Sequence, residues 1–115
     1  MPQLSFSTHV LDAARGCPAA GVPLALRRAG PDEALLAAGV ADGDGRFRYP
    51  DDQGFDPLPA GVYRIVFDTA AYYVASDQSG FYPEVSVTFR ITDPAAHHHV
   101  PLLLSPFAYS TYRGS

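Results

Sequence analysis

Apolar residues recur along this chain in short runs separated by Gly, Pro and Asp, and no run is long. Between the breaks lie stretches rich in Val, Phe, Tyr and Thr, near positions 5–12, 22–28, 45–49, 62–68, 84–91, 97–104 and 107–113. β-branched and aromatic runs bounded by turn residues predict strands, and many short strands at this spacing predict a β-sandwich or barrel. Asp42-Gly43-Asp44-Gly45 is the clearest turn, because glycine accepts the positive φ of a tight hairpin. Pro57, Pro59 and Gly61 form a loop before Val62–Phe67, a run that alternates imperfectly and reads as a well-buried strand. Two segments stay open on this pattern. Residues 31–39, PDEALLAAG, start and stop like a helix. Residues 69–76, TAAYYVAS, fit a strand or a short helix with Thr69 as its N-cap.

With 115 residues the chain is read as one domain, 1–115, and 47% hydrophobic residues are ample for a core. Charged residues are only 17%, which suggests surface buried in an oligomer. The net charge is −4 and the eight basic residues are scattered, so no basic stripe for nucleic acid forms. No apolar run approaches membrane-spanning length. MPQLSFSTHV lacks the basic and apolar regions of a signal peptide, and Cys17 is the single cysteine. A reducing compartment without disulfides follows, with a cytoplasmic location as the expectation.

The candidate chemistry concentrates at the C-terminal end, His97–Ser115, HHHVPLLLSPFAYSTYRGS. His97 and His99 stand at i and i+2, so on a strand they share a face, and His98 points to the other. The four histidines are these three and His9. A strand histidine is often merely packed and hydrogen-bonded, but a same-face pair is unusual. It offers two ligands to a metal, with His9 as a third only if its strand is adjacent; neither cysteine nor H-E-x-x-H spacing supports zinc. Arg46, after the Gly turn, is either a solvated hairpin residue or a forked clamp for a planar, oxygen-rich ligand. Tyr112-Arg113-Gly114-Ser115 follows an alternating Tyr-Ser-Thr-Tyr pattern too directly for a frayed tail.

These motifs together resemble the 5-hydroxyisourate hydrolases of the transthyretin-related family. The resemblance rests on Ser7-Thr8-His9-Val10-Leu11-Asp12, Gly16-Cys17-Pro18-Ala19, Asp44-Gly45-Arg46, Phe81-Tyr82-Pro83 and the nearly continuous match from His97 to Ser115. It spans the whole chain. One position departs: the middle residue of the family's H-x-H is commonly Tyr and here is His98. Strand alternation puts that ring away from the pair, so no catalytic group is lost.

The resemblance implies an all-β, transthyretin-like sandwich of about eight strands with one short helix. It places a strand over 35–41, against local helix propensity, and the helix over 69–76. It implies a homotetramer, a dimer of dimers, with the site in the inter-dimer channel and a purine-derived small molecule as substrate. The implied reaction is hydrolysis of 5-hydroxyisourate to 2-oxo-4-hydroxy-4-carboxy-5-ureidoimidazoline in urate degradation, with no cofactor. His9, Arg46 and His99 are the implied catalytic residues, one histidine activating water and Arg46 holding the substrate's oxygens. Tyr112 and Ser115 join them in binding, and His97, Arg113 and Gly114 support from behind. The rival reading is a non-catalytic binding protein like transthyretin, which carries thyroid hormone on the same fold. Transthyretin differs at the positions of His9, Arg46, His99 and Tyr112 and lacks the Arg-Gly-Ser ending, which favours the hydrolase. A metal-binding or interaction protein, with the histidine cluster as ligand, is a further alternative.

Overall fold

The computed structural model describes residues 6–49 and 58–114. Strands β1 (Phe6–Asp12), β2 (Cys17–Pro18), β5 (Arg46–Tyr49), β8 (His98–Ser105) and β9 (Ala108–Thr111) form one sheet. Strands β3 (Pro23–Arg28), β4 (Leu35–Val40), β6 (Gly61–Phe67) and β7 (Val85–Ile91) form the other, in the order β4-β3-β6-β7. Among the described residues one helix, α1 (Thr69–Ala75), connects β6 to β7. Of the sandwich and the barrel that the turn spacing allows, this is the two-layer sandwich.

Alternation decides which side chains make the core. Phe6, Val10, Leu102 and Leu104 from the first sheet meet Leu26, Tyr63, Ile65, Phe67, Val85 and Ile91 from the second, all nearly inaccessible to solvent. Phe6 stacks on Phe89 at a centroid separation of 5.2 Å, which ties β1 to β7 across the layers. β1 is the hub of its sheet. It runs parallel to β8 over seven rungs, from Phe6↔His98 to Asp12↔Leu104. On its other side β5 pairs with Phe6–His9 and β2 with Leu11–Asp12. Val10 fills the gap between them, donating to the Gly45 carbonyl at 2.7 Å and accepting from Ala19 N–H at 2.9 Å.

Residues 31–39 do not form the helix that propensity suggests, and Leu35–Val40 is a strand against β3. Tertiary pairing overrides propensity here: the segment pairs with β3, and Leu36 and Ala37 pack against the core. Several local expectations need correction. The 42–45 turn is not a hairpin within one sheet: it carries the chain from β4 in one layer to β5 in the other. Only Gly45 of its two glycines has positive φ. The helix cap is Asp68, not Thr69; the Asp68 carboxylate accepts from Ala71 N–H, and the Thr69 hydroxyl donates to the Tyr82 carbonyl. The two-residue β2 is unforeseen and brings the strands among the described residues to nine. β6, by contrast, is the well-buried strand that its imperfect alternation suggests, buried on one face and half-buried on the other. Position 5 of the first strand and Pro57 lie outside the described residues.

The inner face of β1 ends on a carboxylate, and this anchors the helix. Asp12, 2% exposed, accepts from the Tyr72 hydroxyl at 2.6 Å, Gln78 Nε2 at 3.1 Å and Arg15 N–H at 2.9 Å. Arg15 reaches on to the Ser76 carbonyl beyond the helix end. Burial pushes the Asp12 pKa up, but these donors and Ala14 N–H outweigh it and hold it below the ordinary 3.8. A depressed folded-state pKa stabilises the fold above the ordinary value, and that contribution disappears as pH falls through the folded value. Thermal melts from about pH 6 to about pH 3 should show the wild type losing stability toward the acid end. Asp12→Asn should be less stable by about 1–3 kcal/mol near neutrality and lose less on acidification.

Candidate active site

The sheet register lays the predicted residues in adjacent rows on the outward face. Arg46 of β5 pairs with His9 of β1, and His9 pairs with Pro101 of β8. One step along, Arg48 pairs with Ser7, Ser7 with His99, and His99 with Gly114 through an isolated bridge. Residues paired across a sheet share a face, so two stretches about ninety positions apart build one surface.

Ser7 is the centre of this surface. Its Oγ lies 2.7 Å from His97 Nε2 and 2.7 Å from His99 Nδ1, and the residue is 7% exposed. The two imidazoles, 6.2 Å apart between ring centres, are therefore linked through one hydroxyl. The His99 pKa is pushed down by burial first, then by the charges of His97, Arg46 and His9, against a hydrogen bond to the Ser7 backbone that raises it. His97 is likewise lowered, by burial and by His98. Burial and neighbouring charges disfavour the imidazolium, which favours at His99 the neutral ring with a lone pair to offer.

Arg46 is placed by the turn before it. The Asp42 carboxylate accepts from Asp44 N–H at 2.9 Å and Arg46 N–H at 3.0 Å, and these bonds hold its pKa low. Gly45 at φ +79° has no substitute there, because a Cβ would stand 2.4 Å from the Val10 carbonyl oxygen. The close approach of this turn to Val10 lets Arg46 pair with His9. Its side chain stays exposed, with room to meet a ligand.

The chain end closes on His99. Gly114 N–H donates to the His99 carbonyl at 2.8 Å, and a Cβ on Gly114 would meet the His99 ring at 2.4 Å. The ring therefore rests against bare backbone, a packing role for the glycine of the Arg-Gly-Ser ending. Strand β9 stops at Thr111 rather than 113, so Ser110 faces Leu103 as alternation predicts, while Tyr112 lies beyond the last paired rung. Tyr112 and Arg113 line, with His99, a cleft of about 270 Å³ between β7 and the chain end, whose wall includes Phe89 and His98. His9 and Arg46 do not line it. Neither Tyr112 nor Arg113 makes a side-chain hydrogen bond among the described residues. Ser115 lies outside the described residues.

His98 faces inward as expected, 4% exposed, its Nδ1 3.0 Å from the Ala96 carbonyl. β8 begins at His98, so His97 sits just before the strand rather than in it, yet still reaches Ser7. Sequence reasoning missed Ser7. Its signal was present, since Ser7 stands at i−2 from His9 and must share that face in a strand. Among the described residues no cluster of three or more His, Cys, Asp or Glu is arranged to hold a metal ion. No helix among them is long and apolar enough to cross a membrane.

The model of the HIUase/Transthyretin family matches residues 6–114. The chain is 43% identical to the 5-hydroxyisourate hydrolase of Pseudomonas aeruginosa over 119 aligned positions, covering 99% of this chain and 94% of that one. The solved 5-hydroxyisourate hydrolase of Klebsiella pneumoniae superposes with a TM-score of 0.83 at 36% identity, over 96% of this chain and 99% of that one. Sea bream transthyretin in complex with thyroxine superposes with a TM-score of 0.81 at 34% identity, over 95% and 93%. With two sheets, one connecting helix and near-complete coverage by both kinds of relative, this chain belongs to the HIUase/Transthyretin family.

Proposed function

We propose that this protein hydrolyses 5-hydroxyisourate to 2-oxo-4-hydroxy-4-carboxy-5-ureidoimidazoline, a step of urate degradation. The observation that carries this reading is the convergence of His9, Arg46 and His99 on one sheet face, where burial and the neighbouring charges push the His99 pKa below its ordinary value. A binding protein for a hormone has no need of a neutral imidazole poised beside an arginine. Hydrolysis of a cyclic amide does. A histidine takes a proton from water, the hydroxide adds to the ring carbonyl, and the forked Arg46 guanidinium stabilises the oxyanion. Collapse breaks the carbon–nitrogen bond, and the proton passes to the departing ring nitrogen. Holding water, base and carbonyl together lowers the entropic part of the barrier. The substrate carbonyl is itself electrophilic, so the residues present supply the chemistry. Tyr112 and Ser115 orient the substrate, with His97, Arg113 and Gly114 in support.

The face that carries these side chains is open in the single chain, whereas efficient hydrolysis gains from a confined site. A homotetramer that sets two such faces against each other would confine it, in a channel between dimers. Phe81, Phe107, Tyr109 and Tyr112 are exposed aromatics that support burial by further copies. The exposed free thiol of Cys17 suits a reducing, cytosolic setting. Size-exclusion chromatography with light scattering should give four times the chain mass; a monomer that is fully active would remove the channel from this reading.

5-Hydroxyisourate generated in situ by urate oxidase is followed by its ultraviolet absorbance, with and without the protein. Decay should accelerate in proportion to protein. His9→Ala, Arg46→Ala and His99→Ala should each lower kcat/KM by about a hundredfold or more with circular dichroism unchanged, and His98→Tyr should be nearly silent. A fully active His99→Ala enzyme would sink the assignment, leaving the binding-protein reading.

The pH profile carries a second expectation. The base acts as neutral imidazole, and the His99 pKa lies below its ordinary 6.5, so activity should persist below that pH. The acid limb of kcat/KM should move upward in Arg46→Ala, because removing a nearby cation eases protonation. An acid limb at or above the ordinary histidine value in the wild type would contradict it.

A further inference from the structure

The hydroxyl that joins His97 to His99 has a single proton, and its placement decides which nitrogen of His99 can act. Ser7 Oγ offers one donor and two acceptor sites to the two ring nitrogens, each at 2.7 Å. Three arrangements satisfy the distances. If both rings donate to Ser7, its own O–H has no acceptor among the described residues, in a side chain that is 7% exposed, and an unpaired buried hydroxyl is costly. If Ser7 donates to His99 Nδ1, the neutral His99 ring must carry its proton on Nε2. That N–H would lie in the cationic surroundings of Arg46 and leave no lone pair for water. If His99 Nδ1–H donates to Ser7 and Ser7 donates to His97 Nε2, every group is paired. His97 is exposed, so its remaining Nδ1–H meets solvent.

We propose that Ser7 is a positioning residue that imposes this third arrangement, fixing His99 as the Nδ1–H tautomer so that the Nε2 lone pair serves as the base. The proposal rests on the hydrolase reading above and deepens it by choosing between the two histidines. Several features support it. His99 Nε2 has no hydrogen-bond partner among the described residues, whereas Nδ1 is committed to Ser7. The Gly114 backbone lies close against the Cδ2 side of the ring, where even a Cβ would not fit. The Arg46 charge that lowers the His99 pKa also favours a lone pair over an N–H on the nitrogen left free. When His99 accepts the proton of water, both its nitrogens are protonated and the Ser7 bond remains intact, so the ring holds its orientation through the step.

The test joins spectroscopy to kinetics. Nitrogen-15 spectra of histidine-labelled wild-type protein distinguish the two neutral tautomers and should show His99 with its proton on Nδ1. Ser7→Ala should mix or reverse that tautomer and lower kcat by about tenfold or more, with KM changed by less than about threefold. Ser7→Thr, which restores a hydroxyl on a residue type that strands accept, should recover the tautomer and most of kcat. A wild-type His99 protonated on Nε2 overturns the proposal, and so does a Ser7→Ala enzyme with full kcat. Lowered kcat with the tautomer unchanged also overturns it, because the serine then acts only through packing. If Ser7→Ala does not fold, the wild-type spectrum and Ser7→Thr still decide. The outcome is separable from the hydrolase reading: a wild type that leaves 5-hydroxyisourate decay unaccelerated defeats that reading alone, while the tautomer measurement reports on Ser7 regardless.

Discussion

The parallel ladder between β1 and β8 governs the geometry of this protein. Its seven rungs join the first described strand to a strand about ninety residues later, and the candidate site is read off those rungs. A slip of β1 by one residue against β8 would turn Phe6 and Val10 outward and bring Ser7 and His9 into the core. The hydrophobic cost of that exchange makes the register unambiguous. The site is thus held in place by the apolar residues that alternate with it.

The two faces of this ladder divide the work. Inward, Asp12 ends the strand in a hydrogen-bonded cluster that fastens α1, and His98 is paired with backbone. Outward, Ser7, His9, Arg46 and His99 form a cationic, partly desolvated surface with few acceptors of its own. Such a surface favours neutral imidazoles and an oxygen-rich, electron-withdrawing ligand. Transthyretin and the hydrolases share the same scaffold, so the difference between carrying a ligand and opening its ring has to lie in these side chains rather than in the fold.

Much of the architecture was legible in the chain. Gly and Pro spacing marked the strands, and the runs at 5–12, 62–68 and 84–91 are rich in the β-branched and aromatic residues that strands favour. The failures have physical causes. The 42–45 turn carries local hairpin chemistry, yet its two flanking strands belong to different sheets, a choice made by long-range packing. Asp68 and Thr69 are both fair caps by type; hydrogen-bond geometry selected Asp68, and Tyr82 took the Thr69 hydroxyl. β2 is too short to leave a periodic signal.

The candidate site shows the same division. Residue type and i, i+2 spacing were enough to single out His97 and His99 and to set His98 apart, because alternation is a local property of any strand. His9, Arg46 and the chain end were candidates by residue type, and the motif resemblance joined them to the pair as one site. The sequence could not show that Ser7 bridges two imidazoles, that Gly114 lies flat against His99, or that Tyr112 falls beyond the last rung of β9. Those facts depend on which strands become neighbours and in what register. Neighbours and register are settled by the burial of the whole core at once, and local spacing carries no information about them.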